Sequence, residues 1–480
     1  MAPRTAEPAT PKQRGLIWRH HDFRWFWAGH SISVLGTQVT SIALPLVAAL
    51  TLDTGAGGVS VIATASFLPN VLLPLFAGHW LETRRRRRIM IAADILRTVL
   101  LALIPLAWAV ELLSLPLLVA VAFGVGMASV MFDVGSFAYT PSLVTEDELP
   151  AANQAMQGSA TGAQVAGPGV AGLLVQAAGP AAAIAIDSAS YLASALGLAA
   201  ARQPESPPEV DDTLPAGILE GLKRILVNPI LRALTVHAAV YNLFAQVLTV
   251  NLIVWLVKER GLSAGGYGLA LSAGGVGAFF GTMIALRLAR RLGYGHAFVA
   301  SLTLSTGVPL LLATFPFHGY ALGAAVAAVE LVSGAGLGSA NVLSVTLRQV
   351  VAPRGSLART NGGYRLLIFG VIPFGSALGG VIGQVFSTRA GVAVGAIGLA
   401  LSAIPMVSKR VRTLRDPKDA RRVGEESARH EDPRPAARPA QLVARRRPRS
   451  LSSHDRTALP MGRPGRTAGG PPLRVTSPWR

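Results

Sequence analysis

The chain has 480 residues, no cysteine, 51% apolar residues and a formal net charge of +19. The missing thiols exclude disulfides, cysteine nucleophiles and cysteine-based zinc sites, and the nine histidines show no paired metal-ligand spacing. Nor is the charge a nucleic-acid footprint: residues 409–480 alone hold 19 Lys and Arg against 7 Asp and Glu, a net +12.

In chain order, residues 1–26 are a polar, basic N-terminal segment in which no signal peptide is apparent. Apolar runs of about 20 residues follow, each long enough to cross a ~30 Å hydrocarbon core as a helix. They occupy 27–51, 59–81, 89–110, 114–139, 151–178 and 180–201. A polar linker at 202–229 separates them from a second set at 230–257, 264–289, 296–314, 320–346, 358–384 and 389–408. Charges gather between the runs, whereas a soluble core would scatter them along solvated helix faces. The expected fold is therefore all-α integral membrane, with twelve transmembrane helices in two six-helix halves, 27–201 and 230–408. Residues 409–480 read as a disordered basic tail, rich in Arg, Pro, Ala and Ser without periodicity. Arginine far outnumbers lysine, and Ala, Gly and Pro are abundant, which suggests a GC-rich bacterial gene.

Lys and Arg cluster in alternate gaps, at Arg84 to Arg88, Arg202, Lys223, Arg224, Arg287, Arg290, Arg291, Arg348, Arg354 and Arg359. The opposite gaps hold Lys258, Arg260 and Arg389. The positive-inside rule then puts both termini in the cytoplasm. An offset of 208 residues lays Asn153 on Asn361, Leu149 on Leu357, Gly167 on Gly375, Gly172 on Gly380 and Gln176 on Gln384. It also lays Arg24 on Arg232 and Gln38 on Gln246, so the halves read as a duplication.

Two six-helix halves, a polar central linker and cytoplasmic termini resemble the major facilitator superfamily. Its loop motif, roughly G-x-x-x-D-R-x-G-R-R, is matched by GHWLETRRRRR: Gly78 fits, Glu82 replaces the Asp, and Arg86 and Arg87 supply the basic pair. Thr83 and Arg85 depart from the pattern. The resemblance implies a gating latch at this loop; Asp94 and Arg97, three apart on the third helix, can pair with each other and are either structural or part of that latch. A plain stop-transfer cluster is the alternative. GAQVAGPGVAG, with Gly162, Gly167, Pro168 and Gly172, resembles the superfamily's antiporter signature and implies a bend in the fifth helix. Ordinary close packing of small residues is the alternative. The basic residue common in the fourth helix of drug antiporters is absent from 114–132. DELPAANQ (Asp147 to Gln154) and DSASYLASA (Asp187 to Ala195) resemble the bacterial macrolide- and siderophore-exporter subgroup.

Ionisable groups inside spans are costly and so are functional candidates. Glu330 lies about ten residues into the tenth run, ~15 Å deep, and is the leading candidate for proton coupling. Asp187 in the sixth run is the second, and Asp133 reads as a gate or cap residue. Gln38, Tyr241, Asn242, Gln246 and Asn251 lie in the first runs of the two halves. Either they contact substrate in a central cavity, with Gln38 facing Gln246 across the two-fold, or they bond helix to helix. No enzyme motif has its context: GLSAG at 261–265 sits in a short loop without a preceding strand, and no phosphate-binding loop exists.

The expectation is thus a secondary active transporter of the bacterial inner membrane, exporting amphipathic small molecules by proton antiport with alternating access. It is no enzyme, binds no cofactor or metal, and has a small-molecule substrate, protons and the lipid bilayer as partners. Nucleic acid is not among them, and the protein is expected to be a monomer. Two rivals stay open: a dedicated exporter of one siderophore or self-made antibiotic, and a non-transporting sensor or scaffold that uses the basic tail.

Overall fold

The computed structural model describes residues 16–82, 85–201, 222–223, 225–351 and 357–420. Side chains of 74–82 and 357–359, and those of Trp18, Ala138, Asn361 and Arg410, lie outside that description. We label the long helices α1 (His21–Thr51), α2 (Ala56–Glu82), α3 (Arg86–Ala109), α4 (Leu115–Tyr139), α5 (Leu149–Ala178) and α6 (Pro180–Ala200). The second half supplies α7 (Pro229–Glu259), α8 (Ala264–Leu292), α9 (Tyr294–Thr314) and α10 (Gly319–Val351). The eleventh helix, α11, has two pieces, Leu357–Gly370 and Ile372–Val385, and α12 spans Thr388–Val407. Eleven of these helices are long and apolar enough to cross a membrane. The twelfth, α5, has the length but carries too many amides and glycines along its first half.

Boundaries follow local chemistry. Asn228 caps α7, accepting from the Ile230 and Leu231 amides at 3.0 and 3.1 Å, with Pro229 pre-set for the first turn. Ser263 and Ser387 cap α8 and α12 in the same way. The break in α11 at Val371 precedes Pro373, which lacks an amide hydrogen and crowds the preceding turn. The Asn242 side chain donates to the Ile368 carbonyl beside this break at 3.0 Å.

The duplication is visible in backbone detail. Both α1 and α7 end in a π-helical turn, Val47–Thr51 and Val254–Glu259. The next chain reversal puts Asp53 (φ 54°) and Gly261 (φ 67°), 208 residues apart, in the left-handed region. Packing repeats as well. In the first half α1 packs on α5 and α6, α3 on α4 and α6, and α2 on α4. In the second, α7 packs on α11 and α12, α9 on α10 and α12, and α8 on α10. Between halves, α5 packs on α8 and α2 on α11, which are mates under the same operation.

The apolar core shows how the halves diverge. One cluster joins both of them at the end where α1 meets α2, through residues such as Val47, Ile62, Val175, Leu256 and Tyr267. At the opposite end, where Leu16 starts and Ala420 closes the described chain, the core is split. Phe23, Phe26, Phe132 and Tyr139 belong to one cluster in the first half, and Ile230, Phe298, Leu343 and Met406 to another in the second. We call these the far end and the terminal end.

The tail reading needs one correction. Residues 409–420, read from composition as disordered, pack against the start of α9. Val411, Leu414 and Ala420 are buried there, and the Gly295 amide donates to the Leu414 carbonyl at 2.7 Å. Three apolar residues among the arginines are enough to dock the segment. The rest of the tail and most of the linker lie outside the described residues.

Candidate functional site

The far end is shut by two matching seams between halves. In one, α5 meets α8: Gly172 lies against the Gly268 backbone, and the Gln176 side chain accepts from the Gly265 amide at 3.1 Å. In the other, α11 meets α2: Gly380 lies against Ser60 and Gln384 against Gly57. Only glycine allows approaches this close, since a Cβ at Gly172, Gly265 or Gly380 would collide with its neighbour. Both seams continue inward, through the Gly169 amide donating to Ser272 Oγ at 2.8 Å and Thr64 Oγ1 donating to the Pro373 carbonyl at 3.4 Å. Lys258 adds a clasp, reaching Asp53 Oδ1 and the Asp53 carbonyl, each at 2.8 Å, and the Thr54 carbonyl at 3.2 Å.

Toward the terminal end the α5–α8 seam opens. Among the described residues nothing lies within 4 Å of a Cβ placed at Gly158 or Gly162, so close helix packing, the alternative reading of the motif, does not hold at Gly162. Gly167 does, with the Gln38 side chain filling its gap. Pro168 sits inside a continuous α5, its carbonyl against Gly268. The Gly-Pro motif thus builds an inter-half seam at Gly172 and an intra-half contact at Gly167.

A buried charge cluster lies inside the first half. Arg97 and Asp94 pair as their spacing predicts, with Asp94 0% and Arg97 4% exposed. The Arg97 guanidinium is sandwiched between the Phe132 and Tyr191 rings, 4.5 and 4.2 Å from their centroids. Asp187 is 0% exposed; its Oδ1 accepts from Ser190 at 2.8 Å, and Thr40 lies beside the carboxyl. Gly36 of α1 passes directly over Asp187 and Ser190, where a Cβ would not fit. His30, which sequence reasoning passed over, stacks on Phe26 and Phe132. A single histidine in an apolar run gives little signal in sequence. Asp133, on the exposed side of α4, lies within electrostatic reach of Arg97 and of Arg365 on α11.

The second half holds one carboxylate at comparable depth. Glu330 lies about 16 Å from the far end of α10, its Oε2 beside Gly274 of α8. Among the described residues no cation pairs with it. Tyr241 and Tyr267 lie within reach of its charge. The surroundings are rigid, because Gly277, Gly281, Gly334 and Gly338 bring the α8 and α10 backbones into direct contact.

The amides expected in a cavity divide. Gln246 approaches Ser376 of α11 at 3.5 Å, as Gln38 packs on Gly167 of α5, so each turns to its own half and they do not face each other. Asn251 is 0% exposed, donates to the Val247 and Gly379 carbonyls at 2.8 and 2.9 Å, and fills the space left by Gly383 and Gly391. It joins α7, α11 and α12 and lines no opening, which corrects the cavity reading. Asn242 likewise serves the α11 break, and Tyr241 is half-buried near His237.

Of the latch residues, the side chains of Gly78 and Glu82 lie outside the described residues. Arg87 donates to the Leu198 and Ala199 carbonyls, both at 2.8 Å, capping the C-terminal end of α6. Arg86 opens α3 beside it. At the same end Glu148, preceding α5, pairs with Arg19 at 2.9 Å and His20 at 2.7 Å.

A family model described as transmembrane secretion effector matches residues 17–431. The chain belongs to this family. It lies within the major facilitator superfamily, and its members are transporters rather than enzymes. Similar to it is the multidrug efflux pump Tap of Mycobacterium tuberculosis, 28% identical over 299 residues, covering 59% of this chain and 70% of the pump. Tap of Mycolicibacterium fortuitum is 25% identical over 214 residues, covering 42% and 51%. Among solved structures, an inward-facing bacterial homologue of the iron transporter ferroportin has a TM-score of 0.66 at 18% identity, covering 82% of this chain and 99% of that one. An outward-facing structure of a bacterial ferroportin homologue scores 0.51, at 18% identity and 80% and 98% coverage. A bacterial homologue of the lysosomal transporter Spinster scores 0.60, at 13% identity and 87% and 99% coverage. The twelve-helix, two-half superfamily fold follows, and this family member is a multi-pass membrane transporter of the drug type.

Proposed function

We propose that this transporter exports amphipathic small molecules across the bacterial cell membrane by alternating access, in exchange for protons. The observation that carries the reading is the asymmetry of the two ends: twin glycine seams shut the far end, while the core divides at the terminal end. The arginine-rich gaps lie at the terminal end, which the positive-inside rule assigns to the cytoplasm with both termini. The conformation then faces inward, open to a cytoplasmic substrate, and the higher TM-score against an inward-facing relative supports this. Similarity to multidrug efflux pumps favours export.

Proton coupling rests on Glu330. An unpaired carboxylate deep in a spanning helix is costly unless it takes up a proton at some stage of the cycle. Asp187 is the second candidate, a fully buried carboxyl in the sixth helix. The test is efflux from cells expressing wild type, Glu330→Gln, Asp187→Asn or Glu82→Ala, each with and without a protonophore. Cationic dyes, macrolides and chloramphenicol form the panel. Protonophore-sensitive efflux that Glu330→Gln impairs is the expected result. Efflux unaffected by the protonophore would remove proton exchange from the reading.

A further inference from the structure

The helix that falls short of spanning hydropathy, α5, owes this to a polar stripe. Gln154, Gln157, Thr161 and Gln164 recur at spacings of three, four and three, which places them on one helix face. The three glutamines are exposed and Thr161 is half-buried. Amides do not face lipid without a polar partner. The stripe is not what holds α5 in place, because α5 contacts α1 through Ala155, Ser159 and Gly167 instead. Nor does the repeated fold require it. The equivalent positions of α11 carry Gly362, Arg365, Phe369 and Ile372.

Gln154, Gln157 and Thr161 of the stripe border a cavity of about 650 Å³ between α5 and α8, with Val276 and Phe279 as the opposite wall. That volume falls within the range of drug-sized sites, ~300–1,000 Å³. Gly158 and Gly162 form its floor and leave it open. None of its lining residues is charged, so the phosphate of a membrane lipid would find no partner among them.

We propose that this cleft docks the transported molecule, with its hydrogen-bonding edge on Gln154, Gln157 and Thr161 and its apolar face on Val276 and Phe279. The substrate class is a neutral-edged amphipathic molecule carrying several donors and acceptors. The inference rests on the export reading and adds to it a place and a chemistry for the substrate.

The cysteine-free chain makes the test direct. Thr161→Cys is introduced into the full chain and its reaction with N-ethylmaleimide is timed with and without chloramphenicol. Saturable slowing by five-fold or more is expected. Gly162→Leu in the same background should abolish the protection without lowering the melting temperature, since its side chain enters empty space. Gln157→Leu, similar in size but unable to hydrogen-bond, should weaken protection and serves if Gly162→Leu folds poorly. Absence of protection, protection that survives both variants, or equal protection by added phosphatidylglycerol overturns the proposal. Protonophore-sensitive efflux without protection leaves export standing and removes the cleft. Protection without efflux does the reverse.

Discussion

Gln176 and Gln384 stand 208 residues apart in sequence and approach matching glycines in space. Each turns its amide onto a glycine near the start of the second helix of the opposite half, Gly265 and Gly57 respectively. A two-fold operation that exchanges the halves therefore maps one closure onto the other. Gln176→Ala and Gln384→Ala should then both loosen the far end, Gln176→Ala the more, because the Gly265 amide donates to Gln176. With the Gly265–Gln176 hydrogen bond worth about 1 kcal/mol, Gln176→Ala lowers the closed population roughly five-fold relative to the open one. The check is labelling of Ser263→Cys by a membrane-impermeant maleimide, which should accelerate in both variants and more in Gln176→Ala.

The Lys258 clasp has its own acid limit. The hydrogen bond from Lys258, then its charge, holds the Asp53 carboxyl below its ordinary value of 3.8. A carboxyl depressed in this way stabilises the closed end above that ordinary value, and the effect is lost as pH falls through the lower one. Far-end labelling, divided at each pH by the rate of a free thiol under the same conditions, should thus be flat from neutral pH down to about 4 and rise below it. Asp53→Asn should flatten the rise. Lys258→Met should accelerate labelling at every pH, because it also releases the Asp53 and Thr54 carbonyls.

Arg97→Ala strands Asp94 without its charge partner in a buried site. Breaking a buried pair from one side costs about 3–5 kcal/mol. Equilibrium unfolding in bicelles should record that loss. The double variant Asp94→Leu/Arg97→Met should recover most of it, since no charge is then left buried.

Two glycines predict opposite signs. Gly36→Ala pushes a methyl into Asp187 and Ser190 and should destabilise by about 1–3 kcal/mol. Gly162→Ala meets nothing and should stabilise by up to about 1 kcal/mol, the ordinary helix preference for Ala over Gly. Unfolding of the two variants under identical conditions checks both.

Twelve helices and the duplication were legible in sequence because bilayer thickness fixes span length and an ungapped repeat leaves a constant offset. The Asp94–Arg97 pair was legible because helical spacing alone brings those side chains together. What hydropathy could not show is which face of a helix meets which neighbour. Asn251 looks in sequence like any cavity amide, and only the glycines of α11 and α12 packed around it reveal a helix-to-helix bond. The Gln176–Gln384 match was visible as a coincidence of letters, but its meaning needed the partner glycines. Composition misjudged Lys409–Ala420, where widely spaced apolar residues dock on α9.

Each half carries both sides of the seam: Gly57 and Ser60 with Gly172 and Gln176 in the first, Gly265 and Gly268 with Gly380 and Gln384 in the second. An interface of that kind is isologous, complementary to a copy of itself. A free six-helix unit could form the glycine seam with a second molecule of its own kind, but not the Lys258–Asp53 clasp, whose mates under the offset of 208 are Leu50 and Gly261. On this geometry the covalent join between the halves sets stoichiometry, leaving the fit of the seam to surfaces that each half already possesses.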